Sequence, residues 1–121
     1  MNLTLKEYID KVNKWELIPE NVLDHYFKKA KSKNWELLSY VRFHEDYAQK
    51  HIHEFKHKTL KWAPMAIKDI ILTKWYVSSC ASKMMEDFVS PYSATCFQNL
   101  ENAWWLMIWK ANMDEYAMGW S

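Results

Sequence analysis

Glycine is nearly missing from this sequence: Gly119 is the only one among 121 residues. Strand turns and phosphate-cradling loops both depend on glycine, so the absence excludes Gly-rich nucleotide and dinucleotide loops and argues against a β-rich fold. Cysteine is scarce as well. Cys80 and Cys96 are too few for a disulfide framework, and no charged-then-apolar leader precedes the polar start Met1-Asn2-Leu3-Thr4, which points to the cytoplasm. Long apolar runs are lacking: the longest, Ala103 to Trp109, has seven residues, far below the roughly 18 of a membrane span. Arg42 is the only arginine.

Apolar mass is abundant. Half of the chain is hydrophobic and eight residues are tryptophan, enough for one buried core without metal or disulfide support. The formal net charge is +1, divided between a first half (residues 1–62) with 12 basic and 9 acidic residues and a second half with 4 and 6. All five histidines lie in the first half. That balance falls short of a nucleic-acid-binding composition.

Periodicity reads as helix throughout. Thr4-Leu5-Lys6-Glu7 is a capping box, and Leu5, Tyr8, Ile9, Val12 and Trp15 form a stripe that predicts a first helix over 5–15. Pro19 opens a second, ending near Lys31. Asn34 caps a long third running to about Lys58, with Leu37, Leu38, Val41, Ala48, Ile52 and Phe55 on one stripe. Pro64 starts a fourth that breaks at Val89-Ser90-Pro91. Ser93 caps a fifth that runs to Met118 and stops at Gly119. The fifth is apolar around its whole circumference, as buried helices are. An antiparallel pairing of the last two would set Trp104 and Trp105 against the small residues near Ser78 and Ser79, leaving Cys80 and Cys96 as free thiols. The expectation is an all-α, single-domain bundle of about five helices spanning 1–121, with a buried, Trp-rich C-terminal helix.

One motif invites a catalytic reading. His53-Glu54-Phe55-Lys56-His57 matches H-E-x-x-H, in which two histidines one turn apart bind zinc and the glutamate activates water. At about 100° per residue, however, His53 and His57 fall opposite the apolar stripe of the third helix. Lys56 and Lys58 would repel a metal ion, and no further ligand follows at a recognisable spacing. No metal or other cofactor is expected. Di-iron chemistry is excluded because Glu-x-x-His occurs once, at Glu54 and His57. His44 and His51 flank the stripe and are read as boundary histidines titrating near neutrality.

The outer face of the third helix carries Trp35, Arg42, Gln49 and Lys56 every seven residues, with Lys50, His53 and His57 alongside. Trp, Arg and His together resemble an interface anchor set. The reading is therefore a non-enzymatic protein-binding module, an inhibitor or adaptor such as a phage or mobile-element protein acting on a host enzyme or defence complex. It would meet a protein partner through Trp35, Arg42, Gln49, Lys50, His53, Lys56 and His57, with homodimerisation as a further option. Two alternatives stand beside it: a zinc-dependent hydrolase using His53, Glu54 and His57, and a weak single-stranded nucleic-acid binder that uses Trp35 and the Lys28 to Lys33 cluster.

Overall fold

Lys110 decides the architecture. It interrupts an otherwise apolar run, and in a computed structural model of the chain its side chain is wholly buried within a central β-strand. The structure describes residues 3–52 and 60–119. In chain order it comprises α1 (Leu5–Asn13), α2 (Pro19–Leu37), β1 (Tyr40–Phe43), α3 (Glu45–Ile52), β2 (Ala63–Lys68), α4 (Thr95–Asn102) and β3 (Trp105–Ala111). Short 3-10 turns lie at Lys83–Met85 and Glu115–Ala117. The strands form one sheet in the order β1-β3-β2, with β1 antiparallel and β2 parallel to β3. The all-α bundle is thus corrected to a mixed α/β fold.

The first two helices start where the sequence places them, although α2 runs past the expected end near Lys31 to Leu37. Thr4 Oγ1 accepts from the Glu7 amide at 3.3 Å while Glu7 Oε2 accepts from the Thr4 amide at 2.8 Å, closing the capping box of α1. Pro19 sits in the first turn of α2, where its missing N–H costs nothing. Tyr8 donates its hydroxyl to the Lys61 carbonyl at 2.8 Å and so ties α1 to the entry of β2.

The predicted third helix divides because Asn34 acts on a strand instead of capping a helix. Its amide group donates to the Tyr40 carbonyl at 2.8 Å and its oxygen accepts from the Tyr40 amide at 2.9 Å, while Leu38 turns left-handed and stops α2. β1 follows, and α3 covers only Glu45–Ile52.

The predicted fourth helix is replaced by β2 and a run of turns. Pro64 is tolerated because β2 is an edge strand. Beyond it, Ser78, Ser79, Ser82 and Ser90 are buried in turns, with one antiparallel bridge between Val77 and Val89.

The predicted fifth helix is α4 followed by β3. Leu106 to Lys110 are all buried, since β3 is the central strand with α3 and α4 packed against it. A strand buried on both faces reads as a continuous apolar run, which periodicity cannot separate from a buried helix. Trp104 accordingly packs on Trp62, ring centroids 4.5 Å apart, instead of facing Ser78 and Ser79. Gly119 does not terminate a helix in the left-handed region. Its amide donates to Asp114 Oδ2 at 2.6 Å, and a Cβ there would lie 2.6 Å from that of Asp114. Close approach is what requires glycine. Cys80 and Cys96 are free thiols, as expected.

The main core gathers Leu23 and Phe27 of α2, Ala48 and Ile52 of α3, Ile67 of β2 and Leu106 to Trp109 of β3. A smaller cluster joins Tyr8, Val12 and Val22 to Ala63. Leu106 is fully enclosed. Leu106→Ala should therefore cost about 2–5 kcal/mol through lost transfer energy and a residual cavity, read as a lowered urea midpoint at unchanged m-value.

Candidate functional site

Strands β2 and β3 run parallel and end together, Lys68 opposite Ala111. The Asp69 amide extends the ladder by bonding to the Ala111 carbonyl at 3.1 Å. Open α/β sheets bind ligands beyond the carboxyl ends of their parallel strands, which directs attention to the residues that follow these two ends.

Three elements supply the polar groups there. From β2 come Lys68, which is exposed, and Asp69 just after it, which is buried. From β3 comes Lys110, and from β1 Arg42. Lys110 Nζ lies 3.6 Å from Asp69 Oδ1, an ion pair longer than a hydrogen bond, and donates to the Ile71 carbonyl at 2.6 Å and to Ser78 Oγ at 3.2 Å. The other oxygen of Asp69 accepts from the Ser79 amide at 2.9 Å and its hydroxyl at 2.6 Å. Arg42 stands 3.8 Å from that same oxygen, and its guanidinium donates to Ser79 Oγ and the Glu86 carbonyl. Burial lowers the Lys110 pKa while the Asp69 charge opposes that shift. Burial and the Asp69 charge both raise the Cys80 thiol, which disfavours a thiolate.

Outside this cluster, the Lys68 ammonium lies 4.0 Å from Asp114 Oδ1. Asp114 is held below the usual carboxylate range, chiefly by the Gly119 amide. The arrangement has two layers. A buried network fixes the ends of β2 and β3, and an exposed lysine and carboxylate stand above it where a substrate could reach them.

Sequence reasoning passed over Lys68, Asp69 and Lys110. Their signal was present: a lysine set directly between the apolar run Ala103 to Trp109 and Ala111 demands a counter-charge if the segment is buried. The predicted partner face is spread over separate elements. Trp35 lies on α2, exposed, with its indole donating to the Ser32 carbonyl at 3.1 Å. Arg42 belongs to β1 and turns toward Asp69, while Gln49 and Lys50 are exposed on α3. His53, Glu54, Lys56 and His57 fall outside the described residues, and with them the H-E-x-x-H motif.

His44 departs from the expected neutral-range titration. It is buried edge-on against Tyr76, centroids 4.7 Å apart, and desolvation, followed by Lys110 and Arg42, lowers its pKa to about 4. His51 is half-buried and tilts against Tyr47.

Comparison with known proteins identifies the class. A family model described as Amidase matches residues 21–121. A glutamyl-tRNA(Gln) amidotransferase subunit of Halothermothrix orenii is 35% identical over 118 residues, covering 98% of this chain and 25% of that protein. Its counterpart in Clostridium acetobutylicum is 35% identical over 127 residues, covering 98% and 27%. The crystal structure of the same kind of glutamyl-tRNA(Gln) amidotransferase subunit from Thermotoga maritima superposes with a TM-score of 0.70 at 28% identity, over 84% of this chain and 21% of that one. A 6-aminohexanoate cyclic dimer hydrolase shares the fold at a TM-score of 0.86 and 14% identity, over 94% and 24%. The chain belongs to the amidase family. It spans about a quarter of the length of the curated relatives it matches.

Membership of an enzyme family overturns the reading as a non-enzymatic inhibitor, adaptor or phage-type host-defence antagonist. The zinc-hydrolase alternative gains no support from these relatives. Among the described residues no helix is long and apolar enough to cross a membrane.

Two outcomes follow from the buried network. Asp69→Ala strands an ammonium in the interior and should cost about 3–5 kcal/mol, whereas Asp69→Leu/Lys110→Met together should cost much less than the two single changes summed; a double-mutant cycle by urea unfolding measures this. His44 has a folded-state pKa below its unfolded value of 6.5, so the unfolded state binds more protons on acidification. Its stabilisation is complete above about pH 6.5 and should decline as pH falls toward about 4, with His44→Gln flattening the stability profile between those limits.

Proposed function

We propose that this chain supplies part of the active centre of an enzyme that cleaves a carboxamide, with Lys68 as its proton-handling residue. The observation that carries the reading is the placement of Lys68: an accessible ammonium at the carboxyl end of the parallel pair, next in sequence to the buried Asp69. Amide cleavage needs a proton delivered to the departing nitrogen, because an amide anion is too poor a leaving group at neutral pH. A lysine held at the sheet terminus can give that proton and later recover one. Asp114 steadies the ammonium without enclosing it. Asp69, Lys110, Ser78 and Ser79 act as positioning residues, since each is buried and bonded within the network.

The relatives named as amidotransferase subunits support a primary carboxamide as the substrate class and a protein partner for the assembled enzyme. The same reading places the chain in the cytoplasm. Trp35, Gln49 and Lys50, exposed on α2 and α3, are the described residues through which such a partner could dock.

Ammonia release from glutamine by the full-length protein tests this assignment. Lys68→Ala should lower kcat by about a hundred- to ten-thousand-fold with KM little changed, while circular dichroism and thermal midpoint stay near those of the parent. An unaltered kcat in a folded Lys68→Ala variant would remove Lys68 from the chemistry.

A further inference from the structure

Tryptophan occupies backbone positions in this chain that suit another residue. The left-handed region crowds Cβ against the following carbonyl, and for a bulky side chain it is a rare outlier. Trp15, Trp62, Trp75 and Trp104 have φ of 59°, 59°, 69° and 66°. They are four of the seven described tryptophans, whereas only six of all other described non-glycine residues share that region.

Two of the four close helices in the manner of glycine. After α1, the Trp15 amide bonds to the Val12 carbonyl at 3.1 Å and the Glu16 amide to the Lys11 carbonyl at 3.0 Å. That pair of bonds is the Schellman motif, whose left-handed residue is usually glycine. After α4, the Trp104 amide bonds to the Glu101 carbonyl at 2.9 Å, again in a left-handed residue just past the helix.

Trp62 and Trp104 pack on each other in the core, but the other two side chains give little back for this strain. Trp15 and Trp75 are 86% and 73% exposed. In β3, the indole N–H groups of Trp105 and Trp109 are buried with no acceptor, although a buried indole ordinarily finds one. Composition points the same way. A chain of this length ordinarily holds roughly eight or nine glycines, and this one holds one glycine and eight tryptophans.

Eight separate exchanges of glycine for tryptophan would need eight independent events, whereas a single difference in decoding produces all of them. We propose that the eight tryptophan positions carry glycine in the chain as its source cell makes it, through a UGA codon read there as glycine. UGA is a stop signal in the standard code and tryptophan in a variant one, so its meaning is the one free to differ. Glycine occupies the left-handed positions 15, 62, 75 and 104 without steric cost, ends α1 and α4, and removes the two unpartnered indoles from β3. The proposal stands independently of the amide-cleaving assignment.

Peptide mass spectrometry of the protein from its source cells tests it directly. Trypsin releases residues 62–68 and 75–83, each with one tryptophan position, after Lys61 and Lys74. Each peptide should be lighter by about 130 Da, the indolylmethyl group that glycine lacks, and the coding sequence should carry UGA at all eight positions. Either peptide at its tryptophan mass, or a UGG codon at any of the four left-handed positions, would overturn the proposal.

Discussion

An ammonium in a protein interior costs several kcal/mol unless a counter-charge and hydrogen-bond acceptors meet it. Lys110 is met on every side, by Asp69 at 3.6 Å, the Ile71 carbonyl and Ser78 Oγ. The rest of the sheet terminus is arranged around that requirement. Asp69 follows β2, Lys110 belongs to β3, and Ser78 and Ser79 come from the turns between them, so one electrostatic demand fixes two strand ends and a long connection. Arg42 extends the same network to β1.

This network also gives a physical reason for the separation between structure and chemistry at the site. Asp69 and Lys110 are inaccessible and committed to each other, which makes them unsuited to meeting substrate. Lys68, one residue away on an alternating strand, points to the opposite face and is exposed. The period of two along β2 converts adjacent residues into a buried anchor and an accessible lysine. Under the proposed assignment, rigid elements hold Lys68 and the buried layer beneath limits its movement.

How far the sequence reveals this depends on which residues carry the signal. Thr4 with Glu7, and Pro19, mark helix starts through local hydrogen bonding and a fixed φ, and both helices start where expected, whereas the end of α2 lies at Leu37 and not near Lys31. Asn34 misleads because one side chain can cap a helix or clamp a strand, and only the chain reversal that brings Tyr40 back beside it selects between them. Leu106 to Trp109 mislead because a doubly buried strand has no polar face to show its period. The scarcity of glycine misleads as well, since the left-handed turns it argues against exist, at Leu38, Cys80 and Ala81 as well as at the tryptophan positions. Lys110 was the clue to the site, and its value lay in asking what a lone charge does inside an apolar segment.

The parallel alignment of β2 with β3 has a kinetic meaning. Residues 69–104 lie between these strands, so their pairing must close a long loop before any ladder bond rewards it. A slip of one residue would rotate Lys110 out of reach of Asp69 and leave both charges desolvated and alone. The pair thus favours the native register of the two strands over its immediate neighbours.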